Sequence, residues 1–183
     1  MRFSNVTFMP SLPFHLCRIE PRGWRGSGTL FASAMIIYLV RHAKAGHRRD
    51  DLLLDRHRHL SSSGIRQAEA IALYFAEHPV ERILSSPYAR CVETLEPTAA
   101  ELGLKVEESE ALAEETTMPK LGDLLEELAD AARPVALCSH GNVIPAAMDL
   151  MGKFTPESLA CAKGSITRLD TATGQVQYLP FPS

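Results

Sequence analysis

The stretch "MIIYLVRHAKAGHRRDD" (Met35–Asp51) passes from almost wholly apolar to densely cationic within a few residues, and the change falls on Arg41-His42. Ile36 to Val40 is an uninterrupted β-branched and aromatic run of strand length, the pattern of a strand covered on both faces in a parallel sheet. A strand of that kind that stops on Arg-His delivers both side chains to one rim of the sheet.

Downstream of this strand the chain alternates. Ser61 offers an N-cap, Ile65, Ala68, Ala72 and Phe75 follow at helical spacing, and His78-Pro79 ends the helix. Arg82 to Leu84 reads as a second strand, and Ser85-Ser86-Pro87 reads as the start of a helix running to Gly103 with a kink at Pro97. Lys105 to Glu107 reads as a short third strand. Leu121, Leu124, Leu125, Leu128 and Ala132 form an amphipathic stripe, after which Pro134 introduces a fourth strand, Val135 to Cys138. Gly141-Asn142 opens a helix carrying Ile144, Ala147, Met148 and Met151, with Pro145 in its first turn. Ser165 to Leu169 and Gln175 to Leu179 flank Ala172-Thr173-Gly174 and read as a hairpin. Strands and helices in this order predict an α/β fold, a three-layer sandwich with a mostly parallel central sheet flanked by helices.

Composition narrows the rest. A chain of 183 residues, 45% hydrophobic, fits one domain with an adequate core. The formal charge of -3 gives no global cationic field, so neither a nucleic acid polymer nor a membrane surface is expected as a partner. Cys17, Cys91, Cys138 and Cys161 lack CxxC spacing and are read as buried thiols in a reducing, cytoplasmic setting. Residues 1–34 carry Pro10, Pro13, Pro21, Gly23, Gly26 and Gly28 and no sustained period. They are read as a poorly ordered extension or a misassigned start, and 35–183 as the functional domain. The apolar run Thr29 to Val40 is too short for a bilayer, which takes ~20 residues.

In open parallel sheets ligands bind beyond the carboxyl ends of the strands. Three strands end there in polar residues: Arg41-His42, Ser85-Ser86 with Arg90 one turn on, and Ser139-His140-Gly141-Asn142. Two histidines and two arginines at one rim suggest phosphate chemistry, because guanidinium forks grip phosphoryl oxygens and a neutral imidazole can accept the phosphoryl group covalently without a metal. The same arginines favour the unprotonated imidazole.

The segments "YLVRHAKAG", "DRHRHLSSSGIRQA", "ILSSPYARCVETL" and "LCSHGNVI", with a weaker "KGSITRL" reaching Leu169, together resemble the histidine phosphatase superfamily (phosphoglycerate mutase-like), in particular its small SixA-type branch of phosphohistidine phosphatases. The resemblance implies that His42 is the nucleophile, that Arg41 and Arg90 hold phosphate oxygens, and that His140 completes the pocket. Lys44, Gly141 and Asn142 are further candidates for substrate binding. "EALAEETT" resembles the LxE element of larger relatives, which makes Glu114, with Glu115 as the alternative, the candidate proton donor beside the reading of a solvated acidic loop. Arg58 falls where relatives write RPL, with His59 in place of the proline. Gly64 and Gln67 belong to a GxxQA element assigned to helix entry and packing.

No cofactor and no metal are expected. His57-x-His59 with Asp50, Asp51 and Asp55 resembles a ligand cluster, but the neighbouring arginines oppose a bound cation. The expected substrate is a phosphorylated small molecule or a phosphohistidine protein, hydrolysed as a phosphate monoester or phosphoramidate. "RCVETLEPTAAELGL" also resembles the phosphatase-like domain attached to some Nudix hydrolases, so nucleotide or dinucleoside polyphosphates are the alternative. A non-catalytic phosphate-binding module is the reading of another class.

Overall fold

The structure is a computed structural model, and it describes residues 34–48, 50–153 and 161–180; the reading of residues 1–33 and of Cys17 lies outside them. Six strands form one sheet in the order β3-β2-β4-β1-β5-β6: β1 (Ile36–Arg41), β2 (Arg82–Ser85), β3 (Val106–Glu108), β4 (Val135–Ser139), β5 (Ile166–Asp170) and β6 (Val176–Leu179). The first four run parallel and the closing hairpin antiparallel. The helices are α1 (Leu52–Arg56), α2 (Ser62–Glu77), α3 (Ala89–Leu102), α4 (Met118–Ala131) and α5 (Val143–Leu150).

Each face of the sheet has its own core, which is why β1 and β4 read as unbroken apolar runs. Ile37, Leu39 and Leu137 pack with Leu121, Leu125, Leu128 and Ile144 of α4 and α5. Tyr38, Val40 and Ile83 pack on the other side with Ile71 and Phe75 of α2 and Leu95 of α3. The three-layer α/β sandwich expected from the sequence is the observed architecture, and no helix among the described residues is long and apolar enough to cross a membrane. Cys91, Cys138 and Cys161 are free and buried, as expected; burial raises the Cys138 thiol well above its ordinary pKa.

Several local expectations shift. Ser61 caps α2 through Gly64 N as predicted, but Ile65 is exposed and Ile71 takes its place in the core. Ala132 leaves the α4 stripe: it adopts a left-handed conformation at φ 51 and ends the helix, and Ala129 is buried instead. The serines after β2 do not cap α3, which starts at Ala89 behind Tyr88. Likewise α5 starts at Val143, and Asn142 makes no side-chain capping bond. The segment after Asp50, to which the sequence reading gives no element, contains α1, capped by the Asp51 carboxylate accepting from Leu53 N and Leu54 N. Pro97 sits inside α3 without ending it.

Candidate active site

Register places the reactive residues. Arg41 of β1 lies opposite Ser139 of the parallel β4, and Ser85 of β2 lies opposite Cys138, so the residues after all three strands emerge at one edge. Backbone bonds fix the edge further, with His42 N donating to Ser139 O at 3.0 Å and Ser86 N to Cys138 O at 2.9 Å.

The His42 ring is 5% exposed. Its Nδ1 is 2.8 Å from the Ala43 carbonyl; a carbonyl only accepts, so Nδ1 carries the proton and Nε2 keeps a free lone pair. Burial pushes the imidazole pKa down to about 3, the hydrogen bond to Ala43 works the other way, and the charges of Arg90, Arg41 and Lys163 lower it further. The ring is a neutral base with an available nitrogen across the physiological range.

His140 stands edge-on to His42 with ring centroids 5.4 Å apart. Its Nε2 is 2.9 Å from Ser86 Oγ. Its Nδ1 is 3.3 Å from Arg90 Nη2. Burial, then the neighbouring His42, Arg90, Arg41 and Arg58, hold its pKa down at about 2.

Arg90 is fully buried and is the pivot of the site. Its Nη1 donates to the Asp55 carbonyl at 2.8 Å and to Asp55 Oδ2 at 3.1 Å, and its Nη2 donates to Glu114 Oε2 at 2.7 Å. Its face lies 4.3 Å from the Tyr88 ring centre. Asp55 also receives Arg58 Nε at 2.7 Å, so one buried carboxylate holds two guanidinium groups. Arg41 donates to the Cys161 carbonyl, and the missing side chain of Gly141 makes room for it: a Cβ there would lie 2.9 Å from Arg41 Cζ.

Together these groups line a cavity of about 500 Å³. Arg41, His42, Lys44, Arg90, His140 and Gly141 all reach it, and so does Glu114. Glu114 Oε1 also meets Arg48 at 3.3 Å, and its Oε2 stands 3.8 Å from His140 Nδ1. Glu115 lies away from the cavity, accepting from the Tyr88 hydroxyl at 2.7 Å. Asn142 is likewise not on the cavity wall. Its amide donates to the Glu114 carbonyl at 2.8 Å, so it holds the acidic loop rather than facing a ligand.

Sequence reasoning passed over Asp55, Ser86 and Lys163. Asp55 lies in the segment where the neighbouring arginines argue against a bound cation, and its carboxylate pairs with two of them, Arg58 and Arg90. Arg58 lines the cavity and, besides Asp55, donates to the Gly46 carbonyl at 3.0 Å. His59, where relatives have proline, binds Glu93, whose other oxygen accepts from Leu60 N at 2.8 Å. Gly64 and Gln67 do more than pack a helix. Gly64 admits the Lys44 carbonyl, which would lie 2.0 Å from a Cβ. Gln67 accepts from Lys44 N at 2.9 Å and donates to Lys163 O at 3.2 Å, tying the two loops on either side of the cavity.

A family model described as the histidine phosphatase superfamily (branch 1) matches residues 37–119. The chain is 30% identical over 155 residues to an 8-oxo-(d)GTP phosphatase of Mycolicibacterium smegmatis; the match takes in 80% of this chain and 48% of that protein, so the chain spans about half the length of this curated relative. Among solved structures, a chain described as phosphohistidine phosphatase SixA from Agrobacterium tumefaciens superposes with a TM-score of 0.65 at 21% identity, covering 80% of this chain and 98% of that one. A mycobacterial glucosyl-3-phosphoglycerate phosphatase does so with a TM-score of 0.58 at 18% identity, covering 79% and 96%.

Proposed function

We propose that this chain, which belongs to the histidine phosphatase superfamily, hydrolyses phosphate monoesters or phosphoramidates, phosphohistidine among them, through a phosphoryl group carried on His42. The observation that carries the reading is the His42 ring itself: its Nδ1 is bound to the Ala43 carbonyl, which leaves Nε2 unprotonated on a ring that lines a cavity together with Arg41 and Arg90. Phosphoryl transfer asks chiefly for positioning and charge stabilisation, and both are supplied by protein groups.

The incoming dianion sits between Arg41 and Arg90. His42 Nε2 attacks phosphorus, the bond to the leaving group breaks, and water then displaces the imidazole to release phosphate. His140 closes the wall beside His42. Burial first, and then the neighbouring charges, keep His140 unprotonated; a bound dianion offsets the charge contribution, so in the complex the ring holds a second proton more readily and hydrogen-bonds a phosphoryl oxygen with it. Glu114 is the carboxyl group best placed to serve a leaving group, since it lines the cavity.

Hydrolysis of p-nitrophenyl phosphate in EDTA, by the parent protein and by His42→Ala, tests this. Turnover in the parent that vanishes in the variant is the expected result. Turnover that persists in His42→Ala refutes the nucleophile, and tight phosphate binding with no turnover in the parent favours a binding module.

A further inference from the structure

The two histidines of the site are held by opposite nitrogens. His42 is tied through Nδ1, to the Ala43 carbonyl. His140 is tied through Nε2, which lies 2.9 Å from the Ser86 hydroxyl and 3.6 Å from the Cys91 thiol, both fully buried. Its other nitrogen, Nδ1, faces Arg90 Nη2 at 3.3 Å and Glu114 Oε2 at 3.8 Å, and Arg90 and Glu114 both belong to the cavity wall.

Donor and acceptor chemistry decides which nitrogen of His140 carries the proton. A guanidinium only donates, so Nδ1 accepts from Arg90, and in a neutral ring the proton is then on Nε2. Of the two groups facing Nε2–H, the thiol is a weak acceptor and the hydroxyl a good one, so the proton goes to Ser86 Oγ. Ser86 is itself firmly placed. Its N–H donates to Cys138 O at 2.9 Å, its carbonyl accepts the Ser85 hydroxyl at 2.8 Å, and its Oγ also accepts from Tyr88 N at 3.4 Å. The proline that follows it disfavours helical backbone at Ser86. Tyr88 packs edge-on against the His140 ring, with centroids 4.8 Å apart, so the segment after β2 brackets that ring.

We propose that Ser86 is a positioning residue of the reaction: by accepting Nε2–H it fixes the His140 ring so that its second proton enters at Nδ1, the nitrogen beside Arg90, from which it bonds a phosphoryl oxygen. This rests on the phosphatase reading of the cavity. The two rings carry their protons on opposite nitrogens, Nδ1 in His42 and Nε2 in His140. Ser86 is buried and acts through His140 alone. Once the ring holds its second proton, the bond from Nε2–H to Ser86 becomes charge-assisted and strengthens, so the hydroxyl favours the protonated ring that the phosphoryl group needs.

Nitrogen NMR of protein carrying isotope-labelled histidine, with signals assigned through His42→Gln and His140→Gln, reads both tautomers at neutral pH without turnover. In the unaltered protein His42 should carry its proton on Nδ1 and His140 on Nε2; a proton on His140 Nδ1 overturns the proposal. In Ser86→Ala the His140 Nε2–H signal should leave its hydrogen-bonded position while His42 stays as it was. There kcat/KM for p-nitrophenyl phosphate should fall at least about tenfold, the worth of a hydrogen bond to a charged ring. Ser85→Ala is the control, since it removes an equally buried hydroxyl that bonds the Ser86 carbonyl rather than a histidine; its His140 signal should not move, and its kcat/KM should stay within about threefold of the parent. Thermal unfolding of each variant shows that it folds. An unmoved His140 signal in folded Ser86→Ala, a kcat/KM there within about threefold of the parent, or an equal loss in Ser85→Ala overturns the proposal. No turnover in the parent with Nε2–H of His140 in place would count against the phosphatase reading and not against the hold of Ser86 on the ring; turnover with the proton on Nδ1 would do the reverse.

Discussion

Asp55→Asn is the substitution that isolates how Arg90 is held. The change keeps the size of the side chain and removes its charge. In the structure that carboxylate is 2% exposed and takes Arg58 Nε at 2.7 Å, Arg90 Nη1 at 3.1 Å and Arg58 Nη2 at 3.3 Å. Removing one partner of a buried ion pair costs about 3–5 kcal/mol, because the other charge stays buried and unmatched. Here Glu114 and the Asp55 carbonyl still hold Arg90, so the low end, about 3 kcal/mol, is expected. At roughly 2–4 °C per kcal/mol for a chain of this size, the melting temperature should fall by about 6–12 °C. Arg90 would also drift toward Glu114, and a misplacement of about 1 Å at a positioning group costs on the order of a hundredfold in rate. Urea unfolding followed by circular dichroism gives the first quantity, and kcat/KM for p-nitrophenyl phosphate gives the second. A variant within about 0.5 kcal/mol of the parent, the range of an ordinary surface change, and with unchanged kcat/KM would refute the claim that Asp55 organises the site.

Gly141→Ala places a methyl group 2.9 Å from Arg41 Cζ; the flexible guanidinium can yield, so kcat/KM should drop by about a hundredfold with a stability change under about 1 kcal/mol, as steady-state kinetics and melting would show. Gly64→Ala puts a Cβ 2.0 Å from the Lys44 backbone oxygen, which cannot yield alone, so the urea midpoint should report a loss of at least about 1–3 kcal/mol. Stability should also fall on acidification. Burial, with the neighbouring cations, holds the His42 pKa down at about 3 in the folded protein, against about 6.5 for an ordinary imidazole, and the His140 pKa down at about 2. The unfolded chain therefore binds more protons from pH 6.5 down to about 3. The stability is fully present above 6.5, and several kcal/mol should be lost across that window. A flat stability profile between about pH 6 and about pH 4 would contradict neutral buried histidines.

The fold was legible where burial dictates composition. β1 and β4 are covered on both faces, so their sequences are continuous apolar runs, and the polar residues that follow had to emerge at one rim. That reasoning brings Arg41, His42, Arg90 and His140 to a single cavity. What it missed depends on contacts between segments distant in sequence. Asp55 looks like any acidic loop residue until α1 turns it under Arg90, 35 positions away. Ser86 looks like a helix cap until it meets His140 Nε2 across 54 positions. Lys163 opens the weaker KGSITRL segment, which gives it no role of its own, and the φ of 76 at Gly164 is what turns the chain back onto the His42 carbonyl. Asn142 was read by its place beside His140, but side-chain direction after a strand end is set by the packing of the neighbouring loop, and it turns to Glu114 O. Leu52, Leu53 and Leu54 are all exposed on α1.

The most direct test of the account is to quench the working enzyme with a phosphoryl donor in EDTA and measure the intact mass and the modified peptide. The account predicts one added phosphoryl group on His42, stable in base, lost in acid and absent from His42→Ala. Turnover with no phosphoryl group on that imidazole, or with the label on another residue, would contradict it.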